Sequence, residues 1–381
     1  METVYGKIRK IFKTALVASL LLLLVLSQQA CGNKKYFSQK LDQGSADTGP
    51  FDPPVNEQEK SCYSLTENQP DETEVKKVDI LIVTDTSGSL NDERQRVADG
   101  IDNFIAALGN DVDFQIGVML AHGDQSQYSG ALYQAENEDV VLSSSKLSRS
   151  EIRNMLEDKL TDVEDDNATD GGEAGLYSLN RSLSGTALSQ IQAQGFYRKD
   201  AGLAVVFVSD ENDICGEIPN GVTPVRDPSG QEEEAQERLC GNITETIVYQ
   251  NIRALKGLES VILSSIIYTD ANQVPSRGEN EVGYGYKQIT ELNKGLQVDI
   301  LRDNIAMGLG KIGELTSKRL ELKTRFAIED TSTVDPQSIR VYVDANPVSF
   351  EYFALSGTIE IPEDLAGGSG SNVQIEYCTA E

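Results

Sequence analysis

Asp85-Thr86-Ser87-Gly88-Ser89 sets one carboxylate and two hydroxyls at alternate positions, so their side chains can converge on one point. Hard oxygen donors of this kind suit Mg²⁺, with Ca²⁺ or Mn²⁺ as the other candidates, better than zinc or a thiophilic metal. Gly88 is expected to let the backbone turn tightly between the serines. The motif is short, and its plainer reading is a helix N-cap in which Ser87 or Ser89 satisfies backbone donors. What separates the two readings is the setting of the turn, and in particular the acidic turn Ser209-Asp210-Glu211-Asn212-Asp213 found later in the chain.

The turn follows Val78-Asp79-Ile80-Leu81-Ile82-Val83, a nearly continuous apolar run of the kind that a parallel strand buried on both faces requires. After it, Val97, Ile101, Phe104, Ile105 and Leu108 recur at intervals of three and four, which predicts a helix from Asn91 to Leu108. Further strands are expected at Phe114 to Leu120, Ala204 to Val208 and Val261 to Tyr268. Helices are expected at Glu151 to Leu160, Gly175 to Leu183, Thr244 to Leu255 and Asp303 to Ser317. This alternation specifies an α/β fold with a doubly wound, mostly parallel sheet, whose ligands gather at the carboxyl ends of the strands. Between residues 208 and 244 a long loop is expected, with Pro219, Pro224, Pro228 and the acidic run Glu232-Glu233-Glu234. Beyond Ser317, alternating segments at Leu322 to Ala327, Ile339 to Val343 and Val373 to Tyr377 predict a small C-terminal antiparallel β unit.

The amino-terminal end has the layout of an export signal: Lys7, Arg9, Lys10 and Lys13, an apolar run from Ala15 to Leu26, then small and polar residues. That run is short for a membrane span. Leu26-Ser27-Gln28-Gln29-Ala30-Cys31 resembles a bacterial lipoprotein cleavage box, with Gln28 in a place usually held by an apolar residue. The resemblance implies that residues 1–30 are a signal peptide and that Cys31 carries a lipid anchor, the chain's contact with the membrane. Gly32 after that cysteine points to the outer membrane of a Gram-negative bacterium. Residues 31–75, polar and scattered with Gly and Pro, read as a flexible tether holding the folded part roughly a few nanometres from its anchor. With Cys31 assigned, Cys62, Cys215, Cys240 and Cys378 remain, an even set in an exported protein. Cys215 with Cys240 is the favoured pair, because the two bracket one polar segment. Cys62 then pairs with Cys378, while free buried thiols are the other reading.

In this setting the Asp85 turn resembles the metal-ion-dependent adhesion site of von Willebrand factor type A domains, over about residues 76–318, with residues 319–381 as the small β domain. The family completes its site with a threonine from a second loop and an aspartate from a third. The resemblance assigns Asp210, at a strand's carboxyl end, and Thr169, with Asp170 competing for the same place. Ser209-Asp210-Glu211 stands where the family more usually has Thr-Asp-Gly. Glu211 and Asp213 read as a solvated acidic turn, or as charge that tightens cation binding or recruits a second ion. The acids from Asp165 to Leu176 match a calcium loop poorly, since Asp170 and Leu176 occupy its glycine and closing glutamate positions. The mechanism implied is coordination, in which a protein partner's acidic side chain reaches the metal, on the cell envelope and without turnover. A rival reading is a structural or scaffold subunit whose metal only rigidifies loops.

A formal net charge of -28 excludes the electrostatic footprint of nucleic-acid binding. An enzyme would need a nucleophile and a base, but the chain has a single histidine, His122, and its cysteines are committed elsewhere. His122 follows a predicted strand and is expected either to line the site's rim or to serve as a satisfied structural residue. Gly308-Leu309-Gly310-Lys311-Ile312-Gly313 fits a dinucleotide fingerprint only in letters, because no strand precedes it and Ile305, Leu309 and Ile312 form a helical stripe.

Overall fold

The run from Val78 to Thr84 is buried at every position in the computed structural model, as its apolar composition demands. The structure describes residues 61–379, apart from 72–75, 137, 164–171, 226–229, 277–279, 302–304, 329–333 and 355. In chain order, β1 (Ser61–Asn68) precedes the α/β part, which begins with β2 (Lys76–Thr84), α1 (Asn91–Leu108), β3 (Val112–Leu120), β4 (Leu142–Ser143) and α2 (Arg149–Thr161). It continues with α3 (Gly175–Ser182), α4 (Gly185–Ala193), β5 (Gly202–Val208), α5 (Gln231–Leu239), α6 (Glu245–Lys256), β6 (Val261–Ile267), α7 (Tyr286–Leu292), β7 (Gln297–Asp299) and α8 (Ile305–Glu321). The β unit adds β8 (Arg325–Ala327), β9 (Arg340–Val343), β10 (Asn346–Pro347), β11 (Glu351–Phe353), β12 (Thr358–Glu360) and β13 (Asn372–Thr379).

A six-stranded sheet runs in the order β4-β3-β2-β5-β6-β7. Its contacts are parallel except for β4, which pairs antiparallel with β3. Helices cover both faces, so successive residues of β2 feed different cores. Val78, Ile80 and Ile82 pack with Val97, Ile101 and Phe104 of α1 and with Ile152, Leu156, Leu309 and Ile312 of α2 and α8. Leu81 and Val83 face Leu176 and Leu179 of α3, Val248 and Ile252 of α6 and Ile289 of α7. The expected doubly wound sheet is therefore present.

The β unit is larger than the C-terminal segment alone. A four-stranded sheet, β1-β13-β9-β10, packs with a three-stranded one, β11-β12-β8, around Phe326, Val341, Ile359, Val373 and Ile375. The reading of 31–75 as tether is corrected for Ser61–Asn68, which pairs antiparallel with β13 along its whole length. β1 was hard to see because its burial pattern contains no fully buried residue. Both favoured disulfides are present, Cys62 with Cys378 and Cys215 with Cys240. The first joins residues directly opposite one another in the β1–β13 register. The long loop after β5 is corrected as well, because Glu232, Glu233 and Glu234 form the first turn of α5, where carboxylates complement the helix dipole. The signal peptide, Cys31 and the tether up to residue 60 lie outside the described residues.

Candidate metal centre

β2 sends its chain to β3 on one side, and the next parallel strand, β5, lies on the other. The two loops that leave β2 and β5 therefore diverge at a topological switch point, the place where an open α/β sheet forms a crevice. Asp85 is the first residue after β2 and Asp210 the second after β5, so both stand at this crevice. The Asp85 N–H donates to the Val208 carbonyl at 3.0 Å, tying the two strand ends together.

Asp85 accepts at both oxygens. The Ser87 N–H donates to Oδ1 at 2.6 Å, and the Ser209 hydroxyl donates to Oδ2 at 3.0 Å. The Ser87 and Ser89 hydroxyls lie 2.9 Å apart, as their alternate spacing predicts. Below the turn, the guanidinium of buried Arg94 donates from Nη1 to the carbonyls of Asp85 and Ser87, each at 3.0 Å, and from Nη2 to the Asn91 side chain. Arg94 had no sequence signal, since a charged residue in an amphipathic helix reads as solvent-facing. The expectation for Gly88 is corrected: it has no positive φ, and an added Cβ there would meet nothing within 4 Å. The turn is made instead by the 3₁₀ segment Gly88–Leu90.

Asp210 is buried, its carboxyl is hydrogen-bonded to Ser89, and its Oδ1 has no hydrogen-bond partner among the described residues. Burial and then the adjacent Asp210 carboxylate push Asp85 up to about 7, against the hydrogen bonds from Ser87 and Ser209. Burial likewise raises Asp210. A buried acceptor with nothing to accept, beside a second buried carboxylate, is the condition that a cation relieves. Two carboxylates and two hydroxyls, all oxygen donors, fit Mg²⁺, Ca²⁺ or Mn²⁺ rather than a soft metal. The residues present thus fit a divalent cation.

Thr169 and Asp170 lie outside the described residues. The end of their segment does reach the crevice: a Cβ on Gly172 would sit 2.2 Å from Thr86 Oγ1, Ala174 N–H donates to the Ala121 carbonyl at 2.7 Å, and Ile214 N–H donates to the Glu173 carbonyl at 3.2 Å. The solvated acidic turn is corrected, because Glu211 and Asp213 are both buried. Asp213 accepts the N–H groups of Leu176 and Cys215 at 2.7 and 2.8 Å, which caps α3 and holds the loop after β5. Glu211 lies with Glu173 and Glu232, their carboxylate oxygens within 4.8 Å of one another, and burial pushes Glu211 up to about 9. This acidic cluster joins three segments that are remote in sequence, so no spacing could have disclosed it. His122 is buried rather than at a rim, and its ring nitrogens face Thr86 and Ser126.

A sheet whose switch point carries Asp85, Ser87, Ser89 and Asp210 decides the architecture. The architecture fits the α/β fold of von Willebrand factor type A domains. A von Willebrand factor type A protein from Catenulispora acidiphila is similar at 13% identity, over 86% of this chain and 67% of that one, with a TM-score of 0.34. The pilus adhesin SpaC from Lactobacillus rhamnosus GG is similar at 15% identity, over 86% of this chain and 42% of that one, with a TM-score of 0.35. The conserved hypothetical protein BatB from Bacteroides thetaiotaomicron is similar at 12% identity, over 64% of this chain and 98% of that one, with a TM-score of 0.32. No family model matches the sequence. No curated protein matches it. Among the described residues, no helix is long and apolar enough to cross a membrane.

Proposed function

We propose that this von Willebrand factor type A domain is a metal-dependent protein-binding module on an envelope-anchored bacterial lipoprotein, acting by coordination without turnover. The observation that carries the reading is the buried Asp210 Oδ1, which lacks a partner among the described residues and stands beside the buried Asp85. Asp85, Ser87, Ser89 and Asp210 would hold the cation, and Thr169 or Asp170, outside the described residues, is the family's candidate to complete the set. A bound divalent cation supplies an open coordination position for the carboxylate of a protein partner's acidic side chain. The chain's own work is to position. Ser87 N–H and Ser209 Oγ orient the Asp85 carboxylate, and Arg94 fixes the carbonyls beneath it. The anchor at Cys31 gives the module its place, on the outer membrane of a Gram-negative envelope.

The test is binding, measured twice. Calorimetric titration with Mg²⁺ is expected to show one site in the wild-type chain and none in Asp85→Ala. Capture of partners from envelope extract is expected only for the wild type in Mg²⁺, and not in EDTA or with Asp85→Ala. Equal capture in all of these conditions would overturn the adhesion reading, and leave the cation as a stiffener of loops in a scaffold subunit.

A further inference from the structure

Thr86 lies in sequence between Asp85 and Ser87, two donors of the proposed cation site. Its hydroxyl is 2.8 Å from Nε2 of His122, the chain's single histidine. The other ring nitrogen, Nδ1, is 2.8 Å from Ser126 Oγ, which in turn accepts the Tyr128 N–H at 3.0 Å. The imidazole is 1% exposed, with its Ser126 contact buried and its Thr86 contact partly buried. It therefore spans from the turn after β2 to the loop after β3. Beside the same hydroxyl stands Gly172, with φ +86 and with room for no Cβ, since one would lie 2.2 Å from Thr86 Oγ1. A glycine is needed there on both counts.

We propose that His122 is a positioning residue for the cation site. By holding the Thr86 hydroxyl against its ring, it fixes the Asp85–Ser89 turn where Gly172 meets it. A compact cation such as Mg²⁺ demands donors at fixed positions, and groups that orient the ligands are worth about 10- to 100-fold in metal affinity. Asp85 and Ser87 flank Thr86 directly, so a free Thr86 lets both of them swing. The inference rests on the cation reading of Asp85, Ser87, Ser89 and Asp210.

The experiment is Mg²⁺ titration of the full chain by calorimetry, with melting temperatures recorded in EDTA. His122→Ala and Thr86→Val are each expected to weaken Mg²⁺ binding about tenfold. His122→Gln, which keeps a polar group facing Thr86, is expected to recover most of the loss. The double variant His122→Ala/Thr86→Val is expected to be no weaker than either single one, because the two residues act through one contact. Thr86→Val keeps the shape of the side chain and carries the test alone if His122→Ala does not fold. Wild-type affinity in Thr86→Val, or additive losses in the double variant, would overturn the inference while Asp85→Ala still lost the ion. Binding retained by Asp85→Ala would instead overturn the site itself.

Discussion

At the scale of single residues, the crevice concentrates carboxyl groups that are costly to ionise without a cation. Burial raises Asp85 from 3.8 to about 7 and Glu211 from 4.5 to about 9. A carboxyl raised in the folded state favours folding while it is protonated in both states, and that contribution is lost as pH climbs through the folded value. In EDTA the melting temperature is therefore expected to fall between pH 5 and pH 8, inside the window these two groups define. Added Mg²⁺ should raise it at pH 8, where Asp85 is ionised and binds, and raise it little at pH 5, where protons compete. Differential scanning fluorimetry across that range checks both signs, and a flat profile in EDTA would contradict them.

At the scale of elements, the glycines of α8 explain why a dinucleotide-like string sits in a helix. A Cβ on Gly313 would lie 2.5 Å from the Phe104 carbonyl oxygen and 2.9 Å from the Ala107 Cβ, both on α1. One on Gly308 would lie 2.4 Å from the Val298 side chain. The spacing serves close packing against α1 and β7 rather than a phosphate. Gly310 meets nothing nearer than 3.7 Å. Gly313→Ala is accordingly expected to cost about 1–3 kcal/mol by forcing α1 and α8 apart. Gly310→Ala should gain about 0.5–1 kcal/mol from the lower entropy of the unfolded chain. Urea unfolding of the two variants separates these outcomes by sign.

At the scale of the whole molecule, the β unit is closed by a strand from the other end of the chain. Cys62 and Cys378 are 316 residues apart in sequence and opposite each other in the sheet. The unit is also joined to the α/β part: Arg253 of α6 pairs with Glu360 of β12 and lies 4.5 Å from the centre of the Phe353 ring. Cys62→Ser/Cys378→Ser is expected to cost about 3 kcal/mol or more, since so long a loop is no longer closed in the unfolded state. Limited proteolysis should then cut first in β1, whose residues are largely exposed. For the anchor, Cys31→Ser is expected to move the chain from the detergent to the aqueous phase in a partition assay, and retention in detergent would remove the lipoprotein reading.

Much of this was legible in the residues themselves, because the strongest signals are local. A strand buried on both faces needs an unbroken apolar run, and β2 and β5 show one. The three- and four-residue spacing of Val97, Ile101, Phe104 and Leu108 defined α1 at the observed bounds. Asp85, Ser87 and Ser89 are neighbours in sequence, so their convergence needed only a turn, and Asp210 needed only the end of a strand. Edge strands of two or three residues, such as β4 and β7, are too short to show a period, and β1 has too little apolar content to stand out. Arg94 beneath the turn, His122 against Thr86, and Glu173 beside Glu211 and Glu232 depend on which loops the sheet order brings to the switch point. Local pattern thus determined the donor turn of the candidate cation site. Burial and long-range contact, which only the tertiary structure sets, decided which groups hold it in place.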